Sequence, residues 1–159
     1  MFTKIIWATD GSASAERALP YAKEMAQKDG ASLVVVHAVE TYAGSRAAGL
    51  PLYVEEEEMQ KRVEQQVEEL EHEGIDTELK MVTGLGVRAA HAIADAATEV
   101  GADVIVTGTR GHTALGGLLL GSVTQRLLHI APCPVLAVPA ATADTEPSTQ
   151  AAATAGQSS

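Results

Sequence analysis

Short β-branched runs alternate along this chain with segments of helical periodicity. The strand-like runs are residues 4–9, 32–39, 75–82, 104–107 and 135–138. The uninterrupted apolar stretch Leu33-Val34-Val35-Val36 is typical of a strand that is buried on both faces of a sheet. Five strands interleaved with four helices predict an α/β fold, in which right-handed crossovers build one parallel sheet with helices on both faces.

The helical segments carry apolar residues at spacings of three and four. We predict helices from residue 15 to about 30, from 59 to about 73, from 87 to 100 and from 122 to 130. Pro20 falls inside the first pattern, so we expect a kink there or a later helix start, because proline lacks a backbone donor. Residues 41–54 show no periodicity and predict a long loop of the kind that often has a function. Residues 75–82 alternate polar and apolar, which predicts an edge strand.

The composition excludes several functional classes. The chain has 159 residues, 46% of them hydrophobic, and a formal net charge of −10. One domain of residues 1–139 is expected, and an acidic surface argues against nucleic acid as a partner. No apolar run approaches the roughly 18 residues of a membrane span, and no signal-peptide pattern opens the chain, so we expect no membrane insertion and a cytoplasmic location.

Several other sequence features argue against a disulfide, a metal site and a catalytic residue. The single Cys133 excludes an internal disulfide, and the five histidines show no metal-ligand spacing, so no metal site is predicted. No arrangement of a nucleophile beside a base indicates a catalytic residue. Residues 140–159 lack Leu, Ile, Val, Met and aromatic residues, which predicts a disordered tail.

Parallel sheets bind ligands at the carboxyl ends of their strands, where the strand order reverses. The residues at these ends are Asp10-Gly11, His37-Ala38-Val39 and Thr107-Gly108. The search for a binding site therefore begins with these three segments.

The segment T-G-T-R-G-H-T-A-L-G-G-L-L-L-G-S-V-T-Q-R, residues 107–126, follows a strand and opens a helix. In that setting Gly108, Gly111 and Gly121 allow left-handed torsions and a close approach of the backbone to a ligand. Ser122 stands where an N-cap is expected, and Arg110 offers a forked cation suited to phosphate. The segment predicts an anion site, with a merely flexible connection as the alternative; it is neither a Walker A loop nor a G-x-G-x-x-G fingerprint.

The spacing of these residues resembles a known pattern. A glycine, two residues, a glycine, nine residues and then Gly-Ser is met by Gly108, Gly111, Gly121 and Ser122, and resembles the ATP-binding branch of the universal stress protein family. The stretches K-I-I-W-A-T-D-G-S, V-V-H-A-V, G-A-D-V-I-V-T-G-T-R-G and C-P-V-L-A-V extend the resemblance over residues 4 to about 139. It implies a doubly wound five-stranded sheet of order 3-2-1-4-5, of the adenine nucleotide alpha hydrolase-like type.

The resemblance also implies a ligand and its contacts. The ligand is ATP, AMP or ADP, with or without Mg²⁺, bound to a homodimer that joins through residues 135–138. Asp10 would face the adenosine and the Ala38 backbone the adenine edge. The remaining implied contacts are Ala8 and Thr107 at the base, Gly108 and Gly111 at the ribose and phosphates, and Gly121, Ser122, Val123 and Thr124 at the phosphates. The alternative role for Asp10 is a helix N-cap or a turn residue.

These observations lead to a regulatory function as the first hypothesis. Nucleotide occupancy would change a dimer or partner surface. One alternative is a slow ATPase or a protein that phosphorylates itself at Ser122 or a loop hydroxyl, with Asp10 as the carboxylate near Mg²⁺. Another is a nucleotide-free or cyclic-nucleotide-binding module of the same fold.

Overall fold

The computed structural model describes residues 1–39, 51–84, 87–110 and 120–140. The predicted loop up to residue 50, Gly111 and the tail beyond Ala140 lie outside these ranges. Within them, no helix combines the length and the apolar composition that a bilayer crossing requires.

The described strands form one parallel sheet in the order β3-β2-β1-β4-β5. Its strands are β1 (Lys4–Thr9), β2 (Ser32–Val39), β3 (Thr77–Thr83), β4 (Val104–Gly108) and β5 (Val135–Val138). Each lies where the sequence predicted a strand, and β3 occupies an edge, as its alternation predicted. The order implied by the family resemblance is confirmed.

The irregularity expected at Pro20 is present, and one helix starts earlier than predicted. The helices are α1 (Ala13–Glu16), α2 (Leu19–Asp29), α3 (Pro51–His72), α4 (Val87–Val100) and α5 (Ser122–Ile130). The first predicted helix is broken before Pro20, which lies in the first turn of α2. In the first turn the missing N–H of proline is not required, because the amides of that turn have no partner within the helix. The predicted loop is wrong over residues 51–54, because α3 begins at Pro51; proline favours a first helical position, even though no apolar period marks this turn.

Helices cover both faces of the sheet. Trp7 and Val35 pack beneath α2 and α3 in one core cluster, whereas Ile6 and Val36 pack against α4 and α5 in the other. All four side chains are buried. Because both faces of the central strands are buried, a ligand can reach these strands only at the carboxyl or amino edge of the sheet.

Asp103 fastens β1 at the opposite, amino edge. Its Oδ2 accepts hydrogen bonds from the Thr3 N–H at 2.6 Å, the Lys4 N–H at 2.9 Å and the Thr3 hydroxyl at 2.8 Å. These bonds, the main-chain donors first, hold the pKa of Asp103 below its ordinary value. Because Asp103 directly precedes β4, its carboxylate joins the start of that strand to β1.

Asp103→Asn should lower the melting temperature most at neutral pH. A carboxyl whose folded-state pKa is depressed contributes stability above its unfolded pKa of about 3.9, and that contribution is lost as the pH falls through the lower folded-state pKa. The difference in melting temperature between parent and variant should therefore become smaller below about pH 4. Thermal unfolding across pH, followed by circular dichroism, measures it. Asp95→Asn on the exposed face of α4 is the control, and a difference that does not change with pH would contradict the role.

Candidate functional site

The strand order reverses between β1 and β4, the central pair of the sheet. Ala8 of β1 lies in register with Thr107 of β4 and with Val36 of β2. Ala8 is 2% exposed and Thr107 7%. Ala38 follows two residues beyond Val36, so its main chain reaches the same carboxyl edge. The predicted residues on these three strands therefore meet at the switch point, where doubly wound sheets bind ligands.

A tight turn follows β1 and places Asp10. The Gly11 N–H donates to the Thr9 hydroxyl at 3.0 Å, and the Ser12 N–H donates to Oδ1 of Asp10 at 3.0 Å. Ser12 caps α1, because its hydroxyl accepts from the Ala15 N–H at 3.3 Å. Asp10 is therefore a turn residue and not the helix N-cap. Gly11 has φ +79°, the left-handed region that favours glycine.

Gly108 is required for close packing rather than for its torsions. A Cβ at this position would lie 2.7 Å from the Ser14 carbonyl oxygen and 3.0 Å from its carbon. Gly108 has no left-handed φ, and Gly121 has φ −71° and ψ 156°. The expectation of left-handed torsions is therefore wrong for both glycines. The close approach that Gly108 makes in this structure is to α1, and its expected approach to a ligand stays a prediction.

The two ends of the glycine-rich segment are joined by hydrogen bonds. The Gly121 N–H donates to the Thr109 carbonyl at 2.7 Å. The Thr109 N–H in turn donates to the Val138 carbonyl at 2.8 Å, and the Thr109 hydroxyl accepts from the Ala140 N–H at 3.2 Å. The chain thus leaves the sheet and returns to it at one point, which places the start of α5 beside the end of β4. Arg110, half-buried, follows this junction; Gly111 lies outside the described residues.

The first turn of α5 presents main-chain donors at this junction. Gly121, and not Ser122 as predicted, is the N-cap: its backbone is extended and its carbonyl accepts from the Gln125 N–H at 2.9 Å. The amides of Ser122, Val123 and Thr124 therefore precede the first hydrogen bond within the helix. They carry the positive end of the helix dipole, which attracts anions. Ser122 is exposed, and Val123 packs against the core beneath α5.

Thr124 ties the helix to the strand. It is 4% exposed, and its hydroxyl donates to the Gly108 carbonyl at 2.8 Å. The hydroxyl proton is thus used inside the protein, and the group that Thr124 offers to a ligand is its amide.

His37 is a residue whose environment the sequence did not reveal. It lies on β2 opposite Thr9 and is 0% exposed, and neither ring nitrogen has a hydrogen-bond partner among the described residues. Burial lowers its pKa, against the opposing influence of the Asp10 carboxylate, the Asp10 main chain and Glu64. The one signal in the sequence was a histidine inside an otherwise apolar strand.

Within the described ranges, no group of three or more His, Cys, Asp or Glu residues is arranged to hold a metal ion. The chemistry that the described site can offer is therefore main-chain donors at α5, a carboxylate at Asp10, and small side chains between them.

Comparison with known proteins gives the same architecture. The model of the universal stress protein family matches residues 1–139. The Thermus aquaticus protein described as "Universal stress protein in QAH/OAS sulfhydrylase 3'region" is 42% identical over 142 residues, covering 87% of this chain and 99% of the relative.

Two solved structures with bound nucleotides are similar to this chain. A universal stress protein in complex with cAMP has a TM-score of 0.61 and 27% identity, covering 86% of this chain and 97% of that one. A universal stress protein from Archaeoglobus fulgidus in complex with dAMP has a TM-score of 0.60 and 26% identity, covering 87% of this chain and 98% of that one. With the family model spanning every strand of the sheet, this chain belongs to the universal stress protein family.

Proposed function

We propose that this protein binds ATP at the crevice between β1 and β4, and that occupancy changes a dimer or partner surface. The observation that carries the proposal is the junction at which the first-turn amides of α5 lie beside the end of β4. Amides at a helix start bind phosphate without a dedicated cation. A ligand with its phosphates there would extend its adenosine across the switch point toward Asp10.

The proposed contacts are those that the family resemblance implies, together with Arg110. Asp10 faces the adenosine, and the base lies against Ala8, Thr107 and the Ala38 backbone. Gly108 and Gly111 line the ribose and the phosphates, and the phosphates also contact Arg110, Gly121 and the amides of Ser122, Val123 and Thr124. This site would take any adenine nucleotide whose phosphate reaches α5, and the two neighbours in complex with cAMP and dAMP support that class of ligand. A cytoplasmic location would supply the nucleotides, and Mg²⁺ would bridge phosphates near Asp10.

Ligand extraction tests the proposal directly. Protein purified without added nucleotide is denatured, and the released small molecules are identified by mass spectrometry. We expect an adenine nucleotide, and we expect ATP, ADP or AMP to raise the melting temperature of stripped protein. If none is released and none shifts the melting temperature, the proposal fails. Incubation with ATP and Mg²⁺, assayed for ADP and phosphoprotein, separates binding from slow hydrolysis or phosphorylation of Ser122.

The dimer proposal concerns β5, an edge strand of the sheet. Leu136 on this strand is 38% exposed, and an exposed apolar edge favours pairing with another strand. Pairing with the same strand of a second copy about a two-fold axis satisfies both rows of backbone groups. Pro134 and Pro139 limit that pairing to a few residues and disfavour open-ended growth.

Leu136→Arg should convert the proposed dimer to monomer. Two copies of the charge would meet across the two-fold axis and be removed from water, so dissociation should be evident at micromolar concentration. Light scattering coupled to size-exclusion chromatography measures the mass. Met81→Arg is the control, because Met81 is 42% exposed on β3 at the opposite edge. A parent protein that is already monomeric would contradict the proposal.

A further inference from the structure

The His37 side chain is buried beside the end of β1, and its ring makes no hydrogen bond to a described residue. It is on the same face of β2 as Leu33 and Val35, which pack beneath α2 and α3. Its neighbour in register on β1 is Thr9, whose hydroxyl holds the turn that carries Asp10. The buried imidazole of His37 is therefore carried by the strand next to the β1 turn.

Two acidic residues influence the ring, from two different elements. Asp10 acts from the β1 turn through both its carboxylate and its main-chain carbonyl, and Glu64 acts from α3. On the β3 side the residue in register is Met81, which does not titrate. Burial nevertheless dominates and lowers the pKa of His37, so the ring is neutral at neutral pH. A neutral imidazole has one N–H to donate, and it leaves the negative charge of Asp10 intact for a ligand.

Both nitrogens of this ring lack a partner in the described structure, although the side chain is 0% exposed. Burying an unpaired donor costs free energy, and an apolar ring of similar shape would avoid that cost. Asp10 directly follows Thr9, the residue in register with His37, and its main chain raises the pKa of the ring against the larger effect of burial. A small adjustment of the β1 turn would give the Asp10 carbonyl and the ring a well-formed hydrogen bond.

We infer that His37 is a positioning residue for the proposed nucleotide site: with nucleotide bound, its imidazole N–H donates to the Asp10 carbonyl and fixes the Asp10 carboxylate against the adenosine. This inference rests on the proposed function. The Thr9 hydroxyl and the Ser12 N–H already restrain the turn through hydrogen bonds inside it. His37 adds a hydrogen bond from the neighbouring strand β2.

The test compares two substitutions of His37 in the full-length chain. His37→Phe removes both nitrogens and keeps a planar ring, so the melting temperature without nucleotide should be equal to or above that of the parent. Affinity for ATP and AMP, measured by calorimetry, should nevertheless fall by about tenfold, the effect of one lost hydrogen bond. His37→Gln restores a donor and should recover part of the affinity. His72→Phe, at the exposed end of α3, is the control and should change neither quantity.

Nitrogen-15 spectra of the parent provide a readout that a purely structural role would not change. Saturation with ATP should yield a hydrogen-bonded imidazole N–H signal of a neutral His37. Equal affinity of parent and His37→Phe, or a His37 signal that ATP leaves unchanged, would overturn the inference while leaving the proposed function in place. Parallel losses of stability and affinity without rescue by His37→Gln would also overturn it. A parent that binds neither ATP nor AMP would instead overturn the proposed function, and the inference with it.

Discussion

Gly108→Ala should lower both the free energy of unfolding and the affinity for adenine nucleotide. The added methyl would lie 2.7 Å from the Ser14 carbonyl oxygen and 3.2 Å from the Ala15 Cα. These are main-chain atoms of α1, which cannot rotate away as a side chain can. Helix α1 must therefore move off β4, at a cost of about 2 kcal/mol for overpacking. The same movement would open the crevice between the β1 turn and α5, so affinity should fall as well.

The matched control for Gly108 is Gly74→Ala. Gly74 has φ +83°, and a Cβ there would meet nothing within 4 Å, so alanine should cost about 1 kcal/mol through backbone strain alone. Chemical denaturation and calorimetric titration of both variants separate general destabilisation from a local effect. We expect Gly74→Ala to bind nucleotide as the parent does. If Gly108→Ala keeps parental stability and affinity, α1 does not pack on β4 as described.

The sheet could be predicted because its information is local. A continuous apolar strand such as β2 and an alternating strand such as β3 differ in period, and that difference placed one inside the sheet and the other at its edge. The start of α3 was missed because the apolar residues after Pro51, residues 52–54, are contiguous and four glutamates follow them, so no spacing of three or four appears before Met59. A periodicity argument detects a helix only from the first residue of its apolar repeat, here Met59.

The details of the site were less predictable, because they depend on contacts distant in sequence. Gly108 approaches Ser14, and His37 is influenced by Glu64 from α3. No local sequence pattern predicts either contact. The N-cap of α5 was assigned to Ser122 on residue preference, yet the backbone turns one residue earlier, at Gly121. Side-chain preference therefore placed the N-cap one residue too late.

Gly121→Val should abolish the favourable contribution of the phosphates to nucleotide affinity while leaving the fold intact. At φ −71° and ψ 156° the backbone of Gly121 is extended, a conformation that a β-branched residue favours. Valine also retains the N–H that donates to the Thr109 carbonyl, so the junction that closes the glycine-rich segment should persist. The melting temperature without nucleotide should therefore change little.

The affinity of Gly121→Val should depend on which ligand is offered. A branched side chain at the N-cap occupies space beside the amides of Ser122, Val123 and Thr124, and phosphate oxygens must approach those amides within hydrogen-bonding distance. Calorimetric affinity for ATP should fall by about tenfold or more, because loss of more than one charge-assisted bond is involved. Adenosine, which has no phosphate, should bind parent and variant alike, and Gly121→Ala should fall between them for ATP. Equal ATP affinity of the parent and the valine variant would contradict the proposed contact between the phosphates and the first turn of α5. An equal loss for ATP and adenosine would mean that valine reshapes the whole crevice, because a ligand without phosphate cannot respond to a change confined to the phosphate donors.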